Sequence, residues 1–226
     1  MKLSIIIPVF NEAPTIAKLI NLVKRQRLVS IQKEIIVVND GSTDKTKAIL
    51  AKIAGIKLVN LRVNKGKGAA IRSGLKLATG KYILIQDADL EYDPVDYKLL
   101  LEPILKNKAQ VVYGSRFLGP HRNMLFWHML GNKFLSLLTN FIFNTTLSDM
   151  EVGYKVFPTS LLKSLHLKEN RFGFEPEVTA KILKQKIRIY EVPISYCGRE
   201  FWEGKKITWK DGLIAIWLLV KYSLIN

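Results

Sequence analysis

The sequence predicts an α/β fold in which helices cover both faces of a mostly parallel β-sheet. Five apolar runs in the first half of the chain are continuous rather than alternating, as is typical of parallel strands that are buried on both faces. A segment with helical periodicity follows each of the first four runs, and this alternation indicates a doubly wound sheet. Polar and charged residues stand where these runs end. Because ligands bind beyond the carboxyl ends of such strands, these residues predict one composite site.

Each predicted element has a local signal in the sequence. The strands are, in chain order, LSIIIPVF, EIIVVND, IKLVNLRV, KYILIQDAD and AQVVYGSRF. The helices between them span approximately residues 13–27, 43–54, 68–78 and 94–107. Ser42, Thr43 and Asp44 precede the second helix and are residue types that cap a helix N-terminus. Pro94 suits the first turn of the fourth helix, where a backbone N–H would have no partner.

The second half of the chain contains two apolar, aromatic segments of helix length, at residues 121–144 and 205–226. Each suits either a buried core helix or an amphipathic helix that lies in a membrane interface. Between them the sequence predicts a helix near residues 174–186 and a strand, RIYEVPISY.

Composition and charge restrict the function. The chain has 226 residues, of which 48% are hydrophobic, so it is not a disordered chain. A single cysteine excludes an internal disulfide and suits a reducing compartment. No apolar run reaches the ~20 residues of a spanning helix, so we expect a cytoplasmic protein. The net charge of +16 implies an anionic partner, which could be nucleic acid, an anionic membrane surface or a phosphorylated small molecule.

Four carboxylates stand within seven residues of this basic chain, at Asp87, Asp89, Glu91 and Asp93. The first three alternate directly after a buried strand, so extended geometry would place them on one face. Such a face suits Mg²⁺ or Mn²⁺, which take one or two carboxylates and complete their shell with phosphate oxygens and water. Asp93 precedes a proline and is expected to cap the next helix. The sequence shows no His or Cys cluster of the kind that binds zinc.

Six motifs in the chain form an ordered set. They are PVFNE, VVNDGSTD, NKGKGAAIRSGL, QDADLEYDP, GSRF and SDMEVGYKVF. From about residue 2 to residue 212 the chain resembles glycosyltransferase family 2, and within it the polyprenyl (dolichyl) phosphate sugar synthases. The resemblance implies a GT-A fold, a nucleotide-sugar donor, a divalent metal and inversion at the anomeric carbon. We expect a GT-A catalytic domain over residues 1–204. The apolar, aromatic pattern makes 121–144 a candidate interfacial helix within it and 205–226 a C-terminal amphipathic helix.

The resemblance assigns the donor to residues at the ends of the first, second and fourth strands. Those implied for the base and ribose are Pro8, Phe10, Asn11, Glu12, Val38 and Asp40. Asp87 and Ala88 would face the ribose and diphosphate, and Asp89 would bind the metal. Glu91 stands where the family often has Gln, and a charged ligand would strengthen the metal site. Lys67, at a predicted helix N-terminus, would add positive charge near the phosphates, or it belongs to a flexible basic loop.

Basic residues of the second half are implied at the phosphates. Arg116 matches an arginine that the synthases place there, and Arg122 matches a second one. Arg199 resembles the arginine of their C-terminal motif. The lysine of that motif is Lys206, although the spacing also allows Lys205.

The implied acceptor is a polyprenyl or dolichyl phosphate. Its oxygen is already anionic at neutral pH, so no strong general base is required, and Arg116 with Arg122 would hold it in line. A soluble or polysaccharide acceptor would instead need a carboxylate base, for which Asp149 is the candidate. Asp149 equally suits a structural role in its turn.

The sequence leaves two other classes of protein open. A basic nucleic-acid-binding module would use the positive charge on a phosphate backbone, but the acidic cluster would repel that backbone. A sugar nucleotidyltransferase shares a related core, but no Gly-rich loop with an arginine follows the first strand. The preferred interpretation is a peripheral enzyme at the cytoplasmic face of an anionic membrane, with no nucleic-acid partner.

Overall fold

The computed structural model describes residues 1–199 and 209–225. Seven strands form one sheet, and their bounds are β1 Lys2–Val9, β2 Gln32–Asn39, β3 Lys57–Asn60, β4 Tyr82–Ile85, β5 Val111–Ser115, β6 Lys155–Pro158 and β7 Ile189–Pro193. The helices are α1 Ile16–Arg25, α2 Thr46–Leu50, α3 Lys67–Leu77, α4 Tyr97–Leu105, α5 Phe126–Phe143, α6 Thr159–Ser164, α7 Phe174–Lys184 and α8 Trp209–Leu224. A 3₁₀ turn at Pro94–Asp96 leads into α4.

The strand order across the sheet is β3-β2-β1-β4-β6-β5-β7. β1 pairs in parallel with β2 and β4, β2 with β3, and β5 with β7. Only β6 is reversed, since it is antiparallel to both β4 and β5. A reversed strand begins at the edge where its parallel neighbours end. The segment before β6 therefore joins the polar strand ends at one edge of the sheet.

The predicted α/β class and the mostly parallel sheet are confirmed, and all five strands predicted in the first half are present. Their apolar side chains explain this arrangement: Ile5, Ile6 and Ile7 of β1 are fully buried between the two helical layers. Consecutive buried residues on one strand require cover on both faces, which helices on both sides of the sheet provide.

Several predicted boundaries were wrong. The helix expected over 43–54 is limited to α2. Before it, Asp44 Oδ1 accepts from Thr46 N and forms a turn. After Leu50 the backbone continues in tight turns, with hydrogen bonds between residues three positions apart. The helix expected over 94–107 begins as a 3₁₀ turn, capped by Asp93 as predicted. Strand β6 and helix α6 were not predicted.

Helices α5 and α8 occupy the two apolar segments of the second half, and each has a buried and an exposed face. On α8, Leu218 and Leu219 are fully buried, and the helix packs against α7 and α5. The exposed apolar side chains of the two helices are Phe126, Trp127, Leu130, Phe134, Leu137, Phe141, Leu213, Ile214, Trp217, Val220 and Leu224. No helix in the described residues is both long and apolar enough to cross a membrane.

A buried carboxylate joins β1 and β2 to the turn that precedes β4. Glu34 accepts hydrogen bonds from Ser4 Oγ, from Thr79 and Gly80 N–H, and from Lys57 Nζ at 2.8 Å. Burial alone would raise the pKa of Glu34, but the hydrogen bonds from Lys57, Ser4 and Thr79 outweigh it and hold the pKa well below its usual range. Glu34 is therefore ionised in the folded protein.

Candidate active site

The loops after β1 and β2 are joined by side-chain hydrogen bonds. Asn11 has a left-handed backbone (φ 53°), and its Oδ1 accepts from Thr43 N at 2.8 Å. Asp40 accepts from Lys65 N at 2.8 Å and from Gly66 N at 2.7 Å. Asn11 thus shapes its loop, as the resemblance implies, whereas both Asp40 oxygens hold the loop that leads into α3.

Lys67 lies between two carboxylates rather than in a flexible loop. Its Nζ is 2.7 Å from Asp87 Oδ1 and 2.8 Å from Glu175 Oε1. Burial would lower the pKa of Lys67, but Asp87 and Glu175 outweigh it and raise that pKa. A Cβ at Gly153 would lie 2.1 Å from Asp87 Oδ2, so only glycine leaves room for this carboxylate. Asp87 is therefore fixed in position between the lysine and the glycine.

The first N–H groups of α3 are paired with carbonyl groups of the chain. The N–H of Gly68 donates to Arg171 O, and the N–H of Ala69 donates to Asn170 O at 3.0 Å. These two N–H groups are therefore not available to donate hydrogen bonds to a phosphate. Any contribution of this region to phosphate binding would therefore come from the lysine side chains.

The acidic loop after β4 surrounds a guanidinium. Arg199 Nη2 is 3.1 Å from Asp89 Oδ2, and both of its terminal nitrogens are 3.2 Å from the carboxylate of Glu12. The backbone N–H of Arg199 donates to Glu91 Oε1 at 2.8 Å. Burial, followed by the charges of Glu91 and Asp87, raises the pKa of Asp89 to about 7, against the opposing effect of Arg199.

The base of the acidic loop is anchored in the core. Gln86 is fully buried at the end of β4, and its Oε1 accepts from Tyr97 at 2.7 Å and from Tyr154 at 2.6 Å. The ring of Tyr92 stacks on Tyr154 at 4.8 Å between centroids, and its hydroxyl accepts from Gly153 N. Three tyrosines thereby fix the start of the acidic loop.

Arg116 and Asp149 form a buried bidentate pair. Arg116 Nε and Nη2 each lie 2.7 Å from an oxygen of Asp149, and Arg116 N donates to Oδ2 at 3.0 Å. The guanidinium also faces the ring of Tyr196, 5.3 Å from its centroid. Asp149 is fully buried. This geometry favours the structural alternative for Asp149, since a carboxylate engaged by Arg116 is a poor proton acceptor.

An open cavity of about 410 Å³ adjoins the acidic loop. It is lined by Leu90, Glu91, Asp93, Pro120, His121, Arg122, Ser195, Tyr196 and Cys197. Arg122 is exposed on its wall, and the Arg122 N–H donates to Tyr196 O at 2.9 Å. The cavity therefore places a basic side chain beside the carboxylates of the acidic loop.

The structure brings most of the predicted site residues to one edge of the sheet. Pro8 and Val38 lie on adjacent strands in register, and Ala88 is buried beside Asp87. Lys205 and Lys206 lie outside the described residues. Glu175 was not predicted, because its position opposite Lys67 depends on the packing of α7 and has no local sequence signal.

A divalent cation fits the acidic loop by the chemistry of its ligands. Asp89 and Glu91 both contact one cationic group, the guanidinium of Arg199, which marks where positive charge is favourable. The described part of the chain contains no group of three or more His, Cys, Asp or Glu residues placed to hold a metal. Two carboxylates nonetheless suffice for Mg²⁺ or Mn²⁺ when phosphate oxygens and water complete the shell.

Comparison with known families identifies the family of this chain. Residues 4–165 match the model of glycosyl transferase family 2. The chain belongs to glycosyl transferase family 2. It is therefore an enzyme, and the resemblance seen in its motifs is confirmed.

Two curated relatives of this glycosyltransferase are named for lipid phosphates. A dolichyl-phosphate beta-glucosyltransferase of Trichomonas vaginalis is 29% identical over 85% of this chain and 65% of its own length. A dodecaprenyl-phosphate galacturonate synthase of Rhizobium johnstonii is 27% identical over 88% of this chain and 60% of its own length. An uncharacterized protein of Methanocaldococcus jannaschii is 29% identical over 87% of this chain and 82% of its length. The chain thus spans less than two thirds of the two relatives with named activities.

Solved structures share the fold of this glycosyltransferase. One is the glucosyl-3-phosphoglycerate synthase of Mycobacterium tuberculosis in complex with Mn²⁺, UDP and glucosyl-3-phosphoglycerate. It is 20% identical in sequence and has a TM-score of 0.77, and the match covers 100% of this chain and 81% of that chain. The same synthase with Mg²⁺ and UDP has a TM-score of 0.75. These likenesses establish the GT-A fold, and in those structures the fold holds a divalent metal together with UDP.

Proposed function

We propose that this glycosyltransferase transfers a hexose from a nucleotide sugar, GDP-mannose or UDP-glucose, to a polyprenyl or dolichyl phosphate. One observation carries the proposal: the carboxylates of Asp89 and Glu91 meet one cationic group directly beside a cavity whose wall bears Arg122. A pair of carboxylates suits a metal–diphosphate, and an adjacent arginine suits a second phosphate. The names of two relatives support a lipid phosphate as the acceptor.

The donor would lie along the ends of β1, β2 and β4. Asn11, which accepts from Thr43 N, would hold the loop around the base. Asp87, which pairs with Lys67, would face the ribose. Asp89 and Glu91 would hold Mg²⁺ or Mn²⁺, which when bound neutralises the charge of the diphosphate leaving group. Arg199 lies close enough to these carboxylates to add positive charge at the same phosphates.

The acceptor phosphate would enter through the cavity beside Glu91. Arg122 on the cavity wall and Arg116 behind Tyr196 would offset the repulsion between the two anionic substrates. Asp149 would act as a positioning residue, because it binds the guanidinium of Arg116 by two hydrogen bonds. The phosphate oxygen is already ionised, so the attack needs no proton acceptor, and inversion at the anomeric carbon follows from a single displacement.

The exposed faces of α5 and α8 would dock the enzyme on an anionic membrane surface, at its cytoplasmic side. Trp127 and Trp217, both exposed, are residues that favour the headgroup region. The net charge of +16 would add attraction to anionic lipids. A peripheral position would bring the cavity to a lipid phosphate without a spanning helix.

Product analysis tests this proposal. The purified protein would be incubated with UDP-glucose or GDP-mannose, Mn²⁺ and a short polyprenyl phosphate, and the lipid fraction would be analysed by mass spectrometry. We expect one lipid-linked hexose with one of the donors, and no product with chelator or with the unphosphorylated polyprenol. Hexose transfer to 3-phosphoglycerate or to a soluble sugar alone would instead identify a soluble acceptor, as in the name of the mycobacterial synthase.

A further inference from the structure

A guanidinium occupies the place where the metal ligands converge. Arg199 Nη2 lies 3.1 Å from Asp89 Oδ2 and 3.2 Å from Glu12 Oε1, and Nε lies 3.7 Å from Glu91 Oε1. Three carboxylates thus contact one guanidinium. The attraction between Asp89, Glu91 and this cation is strengthened because their side chains are largely buried.

The fit of Arg199 to these carboxylates is incomplete. Its Nε is buried and has no hydrogen-bond partner among residues 1–199 and 209–225, although Glu91 is near. A guanidinium that satisfies only part of its donor set is held mainly by charge, so another cation with better geometry can replace it. The side chains of Arg199 and Asp89 are each 19% exposed, so solvent ions can reach them.

The segment that carries Arg199 is attached to the acidic loop independently of the guanidinium. Cys197 N donates to Glu91 O at 2.9 Å, and Tyr196 OH donates to Glu91 Oε2 at 3.0 Å. The guanidinium can therefore leave the carboxylates while its segment stays beside the site. Its flexible stem would keep it within reach of any phosphate bound there.

We propose that Arg199 is the counter-cation of the metal site before substrate binds, and that it exchanges places when metal and nucleotide arrive. The metal takes Asp89 and Glu91, and the displaced guanidinium pairs with the diphosphate. This inference rests on the proposed function, which supplies the metal and the nucleotide. If this exchange occurs, free metal must compete with Arg199 for the carboxylates and binds weakly. Metal that arrives with nucleotide binds well, because the displaced guanidinium then pairs with the diphosphate.

The substitution Arg199→Gln separates two opposite effects. Mn²⁺ binding without nucleotide, measured from the electron paramagnetic resonance signal of free Mn²⁺, should tighten by about tenfold, since the competing cation is gone. UDP binding at saturating Mn²⁺, measured by calorimetry, should weaken by about tenfold, since the diphosphate loses its arginine. A residue that merely stabilised the fold would not move the two affinities in opposite directions.

Two further variants complete the experiment. Arg188→Gln removes the same charge from an exposed arginine at the other end of β7, where it donates to Asn144 O, and should leave both affinities near those of the parent. Arg199→Lys keeps the charge but loses the fork, so its Mn²⁺ affinity should fall between those of the parent and Arg199→Gln. This variant also provides the test if Arg199→Gln does not fold.

The outcomes distinguish the exchange from the proposed function. If the parent binds Mn²⁺ with UDP but Arg199→Gln and Arg199→Lys bind free Mn²⁺ no more tightly than the parent, the exchange is overturned and the metal site stands. If neither parent nor variants bind Mn²⁺ even with UDP, both the exchange and the metal-dependent function are overturned. Opposite shifts in Arg199→Gln, absent in Arg188→Gln, would support the exchange.

Discussion

At the scale of single residues, the site is organised by buried and partly buried pairs of opposite charge. Lys67 pairs with Asp87 and Glu175, Arg116 with Asp149, and Arg199 with the acidic loop. Removing one member of such a pair leaves an uncompensated charge, which costs about 3–5 kcal/mol when the site is fully buried. Substitutions here therefore need a stability measurement beside every activity measurement.

The first prediction concerns Asp89. We expect Asp89→Ala to abolish transfer while changing the free energy of unfolding by less than about 1 kcal/mol, because the lost pair with partly exposed Arg199 is offset by relief of repulsion from Asp87 and Glu91. Transfer assays and urea denaturation would measure the two effects. Glu102→Gln is the matched control, since Glu102 is an exposed carboxylate of α4 that pairs with Lys106, and it should leave transfer near that of the parent. Full activity of Asp89→Ala would remove the metal from the mechanism.

The second prediction concerns Arg116. We expect Arg116→Lys to lower kcat/KM by about 30-fold or more, since an ammonium cannot form the two hydrogen bonds that now orient Arg116 on Asp149. Steady-state kinetics on folded protein, verified by circular dichroism, would measure the loss. Asp149→Asn should reduce activity without altering the pH–rate profile, because Asp149 accepts no proton in this mechanism. Equal rates for Arg116→Lys and the parent would make Arg116 purely structural.

Ala88 and Asp89 lie in a turn and Leu90 has a left-handed backbone (φ 63°), so the extended geometry predicted for the acidic stretch was wrong. The sequence nonetheless predicted that Asp87, Asp89 and Glu91 share one segment after β4. It was not sufficient to show which cation lies among them. Arg199 meets Glu12 across 187 residues of chain, and Glu175 meets Lys67 through the packing of α7. Such pairs are determined by tertiary packing, and no local pattern predicts them.

At the scale of elements, α5 and α8 each have a buried and an exposed apolar face. Their inner faces complete small apolar clusters with Met150 and Ala180, whereas their outer faces present aromatic and aliphatic side chains to solvent. The sequence left core and interface as alternatives for these segments. Both helices have apolar residues over nearly their full circumference, so periodicity could not separate the two roles. The structure buries one face of each helix and exposes the other, and the proposed docking would use the exposed face.

The third prediction separates these faces on α8. Trp217→Ser should weaken binding to anionic vesicles by about tenfold or more and leave the melting temperature nearly unchanged, because Trp217 is exposed. Leu218→Ser should instead destabilise the fold by about 3 kcal/mol, because Leu218 is fully buried. Vesicle flotation and thermal denaturation would measure the two effects. Unchanged flotation for Trp217→Ser would exclude this face of α8 from docking.

The fourth prediction concerns Glu34, which links β1, β2 and the turn before β4. Its pKa is depressed in the folded state, so its contribution to stability is full above the unfolded pKa of about 4.3 and disappears as the pH falls further. Glu34→Gln should cost about 2 kcal/mol at pH 7. Urea denaturation at several pH values should show this difference shrinking below about pH 4. A difference that is unchanged between pH 7 and pH 2 would mean that packing, not charge, explains the effect.

Strand β6 illustrates the limit of element prediction. It has four residues, Lys155–Pro158, too few for a periodic signal, and it is reversed relative to its neighbours. Ligands are expected at the carboxyl ends of parallel strands, but this rule does not cover a reversed strand. The N-terminal end of β6 lies at the same edge of the sheet as the carboxyl ends of its neighbours. Gly153, which makes room for Asp87, and Asp149 reach the site edge for this reason.

At the scale of the whole molecule, the charge of +16 and the apolar faces act over different distances. Electrostatic attraction to an anionic surface extends over about 10 Å at 0.1 M salt and about 3 Å at 1 M. Apolar insertion acts only at contact and is not screened. Electrostatic attraction would bring the protein to the membrane surface, and apolar insertion would hold it there.

The fifth prediction follows from these two ranges. Binding to anionic vesicles should fall strongly between 0.05 M and 1 M salt yet remain measurable, since α5 and α8 still insert. Sedimentation with vesicles at graded salt would measure the curve, and neutral vesicles would provide the control. Complete loss of binding at high salt would indicate attraction by charge alone, and no binding at low salt would exclude the membrane surface as a partner.

The sole cysteine of the chain, Cys197, is exposed on the wall of the cavity and lies two residues before Arg199. A maleimide dye or a nitroxide would therefore attach at one position of the unmodified sequence, directly beside the acidic loop. The native protein thus carries its own reporter position, from which ligand arrival can be followed in real time without a single substitution.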